Sequence, residues 1–171
     1  MEEREVNKVR AVILNEKGQI LVVKTQEGVY MLPGGKIDEG EQVENALQRE
    51  TIEESGIALS KEEIKGKICS GVYYAKKIDE NTNNEYMKKT KTDFLLAYTD
   101  KPIDETKIVM SEREKARGQK PYYMNISNLT YQLEQQRNEA KSAMQRRYAI
   151  ELLAVLTKFK EYVKQQEDRT R

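Results

Sequence analysis

The sequence predicts an α/β fold in which a mixed β-sheet carries helices on both sides and a long helix closes the chain. Three observations predict it. Runs rich in β-branched and aromatic residues recur at 9–14, 19–24, 68–75 and 92–98. A helical stretch from about Glu41 to Gly56 separates the second of these runs from the third. The last third carries apolar residues at three- and four-residue spacing. Strands and helices that do not strictly alternate point to a mixed rather than an all-parallel sheet.

In chain order, Val9–Leu14 and Gln19–Lys24 read as a hairpin, because Asn15–Gly18 between them ends in a glycine suited to positive φ. Val29–Leu32 is a short aromatic strand, and Pro33-Gly34-Gly35 is read as a break in regular structure. Asp38 with Glu41 three residues on resembles a capping box, and Gly56 supplies the helix stop. Ile68–Ala75 and Thr92–Tyr98 are strands, with the polar stretch Lys76–Lys91 expected as a mobile hairpin arm. Ile108–Met110 is a further strand candidate. It leads into Ser111–Lys120, charged and without periodicity, and then into Pro121–Met124. Tyr148, Leu152, Val155, Leu156, Phe159, Tyr162 and Val163 form one apolar stripe, explained most simply by packing on the sheet. No repeat or linker divides the chain, so one domain over 1–171 is expected.

Composition narrows the chemistry. The 171 residues hold 30 Lys plus Arg and 29 Asp plus Glu, with no histidine, no tryptophan and one cysteine, Cys69. A net charge of +1 gives no global steering toward DNA or membrane. No disulfide can form within the chain. No His/Cys zinc site and no Ser-His-Asp or Cys-His system can exist. Acid–base work falls to carboxylates, Lys or Tyr, and a metal site must be built from oxygen. Mean hydropathy is −0.84, yet the apolar residues come in periodic blocks, which argues against disorder. The N-terminus lacks a signal-peptide pattern and no window approaches the ~20 apolar residues of a membrane helix. A cytoplasmic protein is the expectation.

The helix from Glu41 has an unusual face. At about 100° per residue from Val43, Leu47 falls at about 40°, Ala46 at about 300° and Ile57 at about 320°. Glu50 then falls at about 340° and Glu54 at about 20°, within that apolar arc, with Glu53 at its edge at about 280°. Charges ~5–6 Å apart repel by roughly 3 kcal/mol at an effective dielectric of 20. Arg49 neutralises only one of the three glutamates; a divalent cation would neutralise the set. Oxygen ligands favour Mg²⁺ or Mn²⁺, and Gly34 and Gly35 offer a backbone without side chains beside them. The plain alternative is a solvated glutamate face, since structural ion pairs also cluster carboxylates.

Gly35, five residues, Glu41, seven residues, then Arg49-Glu50-Thr51-Ile52-Glu53-Glu54-Ser55-Gly56-Ile57 resembles the box of the Nudix (MutT-like) hydrolase family, G-x5-E-x7-R-E-U-x-E-E-x-G-U. Every fixed position is filled, and Thr51 stands at the first bulky-aliphatic position. The match covers 23 of 171 residues. The resemblance implies an α/β/α sandwich and Mg²⁺- or Mn²⁺-assisted hydrolysis of a pyrophosphate bond in a nucleoside diphosphate linked to another group. It implies metal ligation by Glu50, Glu53 and Glu54 with Gly34, and catalytic roles for Glu50, Arg49 and Glu53. Arg49 would orient the glutamates, and Glu41, Gly35 and Gly56 would support the loop and helix. The general base stays open between Glu50 and a later residue, Glu112 or Glu114.

Substrate signals are weaker. Lys76, Lys77, Lys88, Lys89 and Lys91, with Arg113, Lys115, Arg117 and Lys120, are either a phosphate-facing rim or a pair of solvated loops. Tyr30, Lys36 and Tyr123 are candidate substrate-binding residues. Relatives acting on ADP-ribose tend to carry a proline where Val72 stands, and dinucleoside polyphosphate hydrolases a tyrosine near Tyr73 or Tyr74. Among substrates, a nucleoside triphosphate or its damaged analogue ranks slightly ahead of dinucleoside polyphosphate, ADP-sugar and 5′-triphosphorylated RNA. The expected partner is a small nucleotide substrate, with no membrane and no DNA, for a protein that is a monomer or homodimer. A nucleotide-sensing module without turnover and a prenyl diphosphate isomerase are the rivals from other classes.

Overall fold

The structure is a computed structural model that describes residues 1–171. Its seven strands are β1 (Glu2–Leu14), β2 (Ile20–Lys24), β3 (Tyr30–Met31), β4 (Gly34–Lys36), β5 (Ile64–Ile78), β6 (Glu85–Tyr98) and β7 (Lys120–Met124). Its helices are α1 (Val43–Ser55), α2 (Glu112–Ala116), α3 (Ile126–Glu139) and α4 (Ala143–Arg169). One mixed sheet runs β3-β2-β1-β6-β5, with β4 added to β1 and β7 to β2. Only β1 and β6 pair in parallel. No helix is long and apolar enough to cross a membrane.

Alternation along β1 divides the core in two. Val12 and Leu14 point to one face, where Leu129 and Leu133 of α3 and Leu152, Val155, Leu156 and Phe159 of α4 pack on them. Val9, Ala11 and Ile13 point to the other, against Ala46 and Leu47 of α1 and Ile57. The mixed sheet sandwiched between helices is therefore observed as expected. The C-terminal stripe is the second helical layer. Ala140–Ser142 divide that layer into two helices, and Ser142 caps α4 through Gln145 N–H.

Several local expectations are corrected. Gly34–Lys36 is not a break but a short strand paired with Lys8–Arg10 of β1. The Lys76–Lys91 arm is a hairpin, as expected, but its strands stay paired out to Ile78 and Glu85, so only residues 79–84 form its turn. Its turn is held by the Asp79 carboxylate, which accepts N–H bonds from Asn81 and Thr82 and pairs with Arg4. Asp38 does not cap α1: Gly40 takes φ +76° and interrupts the helical backbone, so the helix begins at Val43. Glu41 still accepts the Asp38 N–H at 3.0 Å, now within a preceding turn. Ile108–Met110 is not a strand; Val109 donates its N–H to the Glu53 carbonyl, one of the orphan acceptors near the end of α1. Ser111–Lys120 contains α2, whose Ser111 and Glu114 form a reciprocal capping box that the sequence reading passed over.

Candidate active site

The helix α1 is held against β4 by an ionic clasp. Arg49 donates from Nε and Nη2 to the two oxygens of Glu41, from Nη1 to Glu50 at 2.9 Å, and from Nη2 to the Lys36 carbonyl at 2.9 Å. The Arg49 guanidinium and the Asp38 N–H hold the Glu41 carboxyl down at about 2. Thr51, at a position where an aliphatic residue is expected, is fully buried and satisfies its hydroxyl on the Leu47 carbonyl at 2.7 Å. Gly56 ends the helix in the left-handed region at φ +74°, and a Cβ there would lie 1.9 Å from the Asp104 carbonyl oxygen.

Two glutamates of α1 are turned inward, as the wheel predicts. Glu54 is 7% exposed and accepts the Gly34 N–H at 2.9 Å. Burial raises its pKa to about 8, against the pull of Arg10 and of that N–H. Burial likewise raises Glu50, with Arg49 opposing. The glycines of β4 make this approach possible. A Cβ on Gly35 would lie 2.6 Å from the Glu50 carboxylate carbon, and one on Gly34 would lie 2.0 Å from the Val9 carbonyl oxygen.

Glu50 and Glu54 lie in a cleft of about 560 Å³ bounded by β1, β4, β5, β6, α2 and the start of α4. Gly34, Gly35 and Lys36 line it beside them, and Glu114 reaches it from α2. The sheet supplies Lys8 and Arg10 from β1, Lys88, Thr90 and Thr92 from β6, and Tyr73 and Lys77 from β5. Met144, Arg147, Tyr148 and Glu151, at i, i+3, i+4 and i+7, form the wall contributed by α4. Arg113 and Arg117 flank Glu114.

The remaining predicted residues lie elsewhere. Glu53, at the edge of the buried face, is outside the cleft, its side chain 39% exposed and its Oε1 3.8 Å from Arg49 Nη1. Glu112 is almost fully exposed and pairs with Lys115. Tyr30 is buried in the core under α3 and α4, because its strand position faces inward. Tyr123 faces the α1 side and donates its hydroxyl to the Lys101 carbonyl. Of the five arm lysines, only Lys77 and Lys88 line the cleft. Sequence reading missed Lys8, Arg10 and Arg147. For the first two a signal existed: they continue, two residues at a time, the face that carries Val12 and Leu14.

As placed, no three acidic side chains are gathered closely enough to hold a metal ion on their own. The donor chemistry nonetheless fits a hard divalent cation. Mg²⁺ commonly takes one or two carboxylates and completes its shell with water and substrate phosphate oxygens. Glu50, Glu54 and the backbone of Gly34 would supply the protein's share of such a set, a half-buried and a buried carboxylate lining one cleft.

The comparison with known proteins gives the family. A NUDIX domain is recognised over residues 5–147, and the chain belongs to that family. A protein of Bacillus subtilis (strain 168) named "Putative 8-oxo-dGTP diphosphatase" is 48% identical over 46 residues, 26% of this chain and 31% of that protein. The matched segment thus spans less than a third of that relative. Among solved structures, a MutT protein from Methanosarcina mazei Go1 superposes with a TM-score of 0.53 at 19% identity, covering 77% of this chain and 84% of the other. A C. elegans Ap4A hydrolase in a binary complex gives 0.51 at 20% identity, over 93% and 98%. At these identities the likeness is one of fold.

Proposed function

We propose that the chain hydrolyses a pyrophosphate bond in a nucleotide, with a nucleoside triphosphate or related nucleotide as the leading substrate, using Mg²⁺ or Mn²⁺. One observation carries this reading: Glu50 and Glu54 lie beside Gly34 and Gly35 in a cleft whose remaining charged residues are eight cations against two further glutamates. The triphosphate preference draws support from the Bacillus relative and its printed name. A dinucleoside polyphosphate is the second reading, favoured by Tyr73 lining the cleft where such relatives tend to carry a tyrosine.

Glu50, Glu54 and the Gly34 carbonyl hold the cation in this reading. When bound, the cation neutralises phosphoryl charge and activates the attacking water. Arg10, whose Nη1 donates to the Leu32 carbonyl, and Lys36 would face the phosphoryl oxygens and stabilise the charge that develops there. Glu114 takes the proton of the attacking water. It is the carboxylate of the 111–120 segment that lines the cleft, and the Ser111 hydroxyl holds its Oε1, leaving Oε2 to accept. Water adds to phosphorus, the phosphorus–oxygen bond to the leaving phosphate breaks, and the proton rests on Glu114. Arg49 is a positioning residue, with Glu53 beside it at the rim.

A panel of nucleotides incubated with Mg²⁺ or Mn²⁺ and resolved by chromatography tests this. Cleavage of at least one member between two phosphates, abolished by EDTA, is the expected result. Tight binding of one member with no hydrolysis of any would replace the enzyme reading by that of a nucleotide sensor.

A further inference from the structure

The cations of this molecule fall into two populations. On the sheet face opposite the cleft, Lys76 pairs with Glu85 at 3.0 Å, Lys89 with Glu5 at 3.3 Å and Lys91 with Glu5 at 3.8 Å. On the cleft face of the same strands, Lys8, Lys77 and Lys88 have no carboxylate within 4.0 Å, and neither has Arg147 of α4. Eight cationic side chains line the cleft against four acidic ones, although the whole chain is only +1. The rest of the molecule is therefore net acidic, and its positive excess is concentrated here. Across β1, β5 and β6 the lysines are paired on one face and unpaired on the other, where Arg4 alone of the strand cations pairs, with Glu2 and Asp79, and a face so arranged suits an anion.

Lys8, Lys88 and Arg147 share this cleft. The Arg147 guanidinium lies 3.6 Å from the Tyr73 ring centroid and 4.9 Å from that of Tyr148, so its planar fork is held by aromatic contact rather than by a carboxylate. Lys8 is pushed down to about 8, by burial first and then by the like charges of Arg10, Lys88 and Arg147. Lys8 pairs with Lys36 while Arg10 pairs with Gly34, which sets Lys8 about 7 Å farther along the strand from the glycine at the glutamates.

We propose that Lys8, Lys88 and Arg147 form a second anion subsite, apart from Glu50 and Glu54, for a phosphoryl group beyond the pyrophosphate being cleaved. Its consequence for the substrate class rests on the hydrolytic reading above. The preferred substrate is a nucleotide with three or more consecutive phosphates, and a nucleoside diphosphate joined to a neutral group leaves the subsite empty. Arg147 grips two oxygens of the distal phosphate through its fork, and Lys8 and Lys88 neutralise it.

Calorimetric titration in EDTA, with inorganic tripolyphosphate and pyrophosphate as probes, tests the subsite without the metal. The wild-type protein is expected to bind tripolyphosphate at least about tenfold more tightly than pyrophosphate. Arg147→Gln and Lys8→Gln should each remove that preference, while Arg147→Lys keeps part of it and Glu54→Gln keeps all of it. Circular dichroism checks that each variant is folded; if Arg147→Gln is not, Lys8→Gln and Arg147→Lys decide. Equal affinity for the two probes, or a preference unmoved in folded Arg147→Gln, overturns the proposal. Failure of the hydrolytic reading looks different: no cleavage of any nucleotide, with the tripolyphosphate preference intact, leaves the subsite standing.

Discussion

Burial and three neighbouring cations hold Lys8 at about 8, well under its ordinary 10.5, with only Glu151 pulling the other way. The folded chain thus releases this proton before the unfolded chain does. Below pH 8 the charged ammonium is a full cost to the fold. Between about 8 and 10.5 the unfolded state binds more protons, so the contribution of Lys8 to stability rises with pH. Denaturant unfolding of wild type and Lys8→Met at pH 8 and at pH 10.5 measures it. The wild type should gain on the variant across that window; parallel stabilities would show that Lys8 is not in a crowded cationic site. Other residue-level features are choices of size. Thr51 fills an aliphatic position because its hydroxyl turns back onto the Leu47 carbonyl within its own helix.

At the scale of elements, the site is the approach of β4 to α1. Arg49 clasps the two through Glu41, Glu50 and the Lys36 carbonyl, and Gly35 lets the Glu50 carboxylate lie against the strand. Gly35→Ala places a methyl about where that carboxylate sits, so Glu50 must swing away. The expected outcome is a loss of turnover of roughly tenfold or more with a smaller loss in melting temperature. A variant with wild-type turnover would separate Glu50 from the chemistry. This approach was half legible in the sequence. The inward turn of Glu50 and Glu54 followed from helical periodicity, and so did the position of Glu53 at the edge. That Gly34–Lys36 forms a strand was hidden, because pairing with Lys8–Arg10 is a long-range contact that outweighs the poor strand propensity of glycine. Tyr30 and Tyr123 could not be placed from composition. Tyr30 lies on a strand buried on both faces, so a one-residue phase decides between the core and the cleft, which Met31 lines instead; Tyr123 turns to the α1 side while its neighbour Tyr122 is exposed.

Over the whole molecule, the sandwich gathers at one place residues that are far apart in sequence. The cleft joins β1 near the N-terminus to α4 near the C-terminus, and α4 serves twice. Its apolar stripe from Leu152 onward packs on the sheet, while the two turns before it present Met144, Arg147, Tyr148 and Glu151 to the cleft. Periodicity revealed the first role. The second depends on where the helix begins along the sheet, which only the assembled fold shows. The cleft combines the buried Glu54 and half-buried Glu50 carboxylates with an excess of unpaired cations, a combination suited to a metal-neutralised polyphosphate. The most direct test is Mg²⁺-dependent nucleotide hydrolysis by Glu54→Gln beside wild type. Glutamine keeps the side chain's shape and can still accept the Gly34 N–H, so the variant should melt near the wild-type temperature. Its turnover should fall by roughly 100-fold or more. Wild-type turnover in a correctly folded Glu54→Gln would contradict the account.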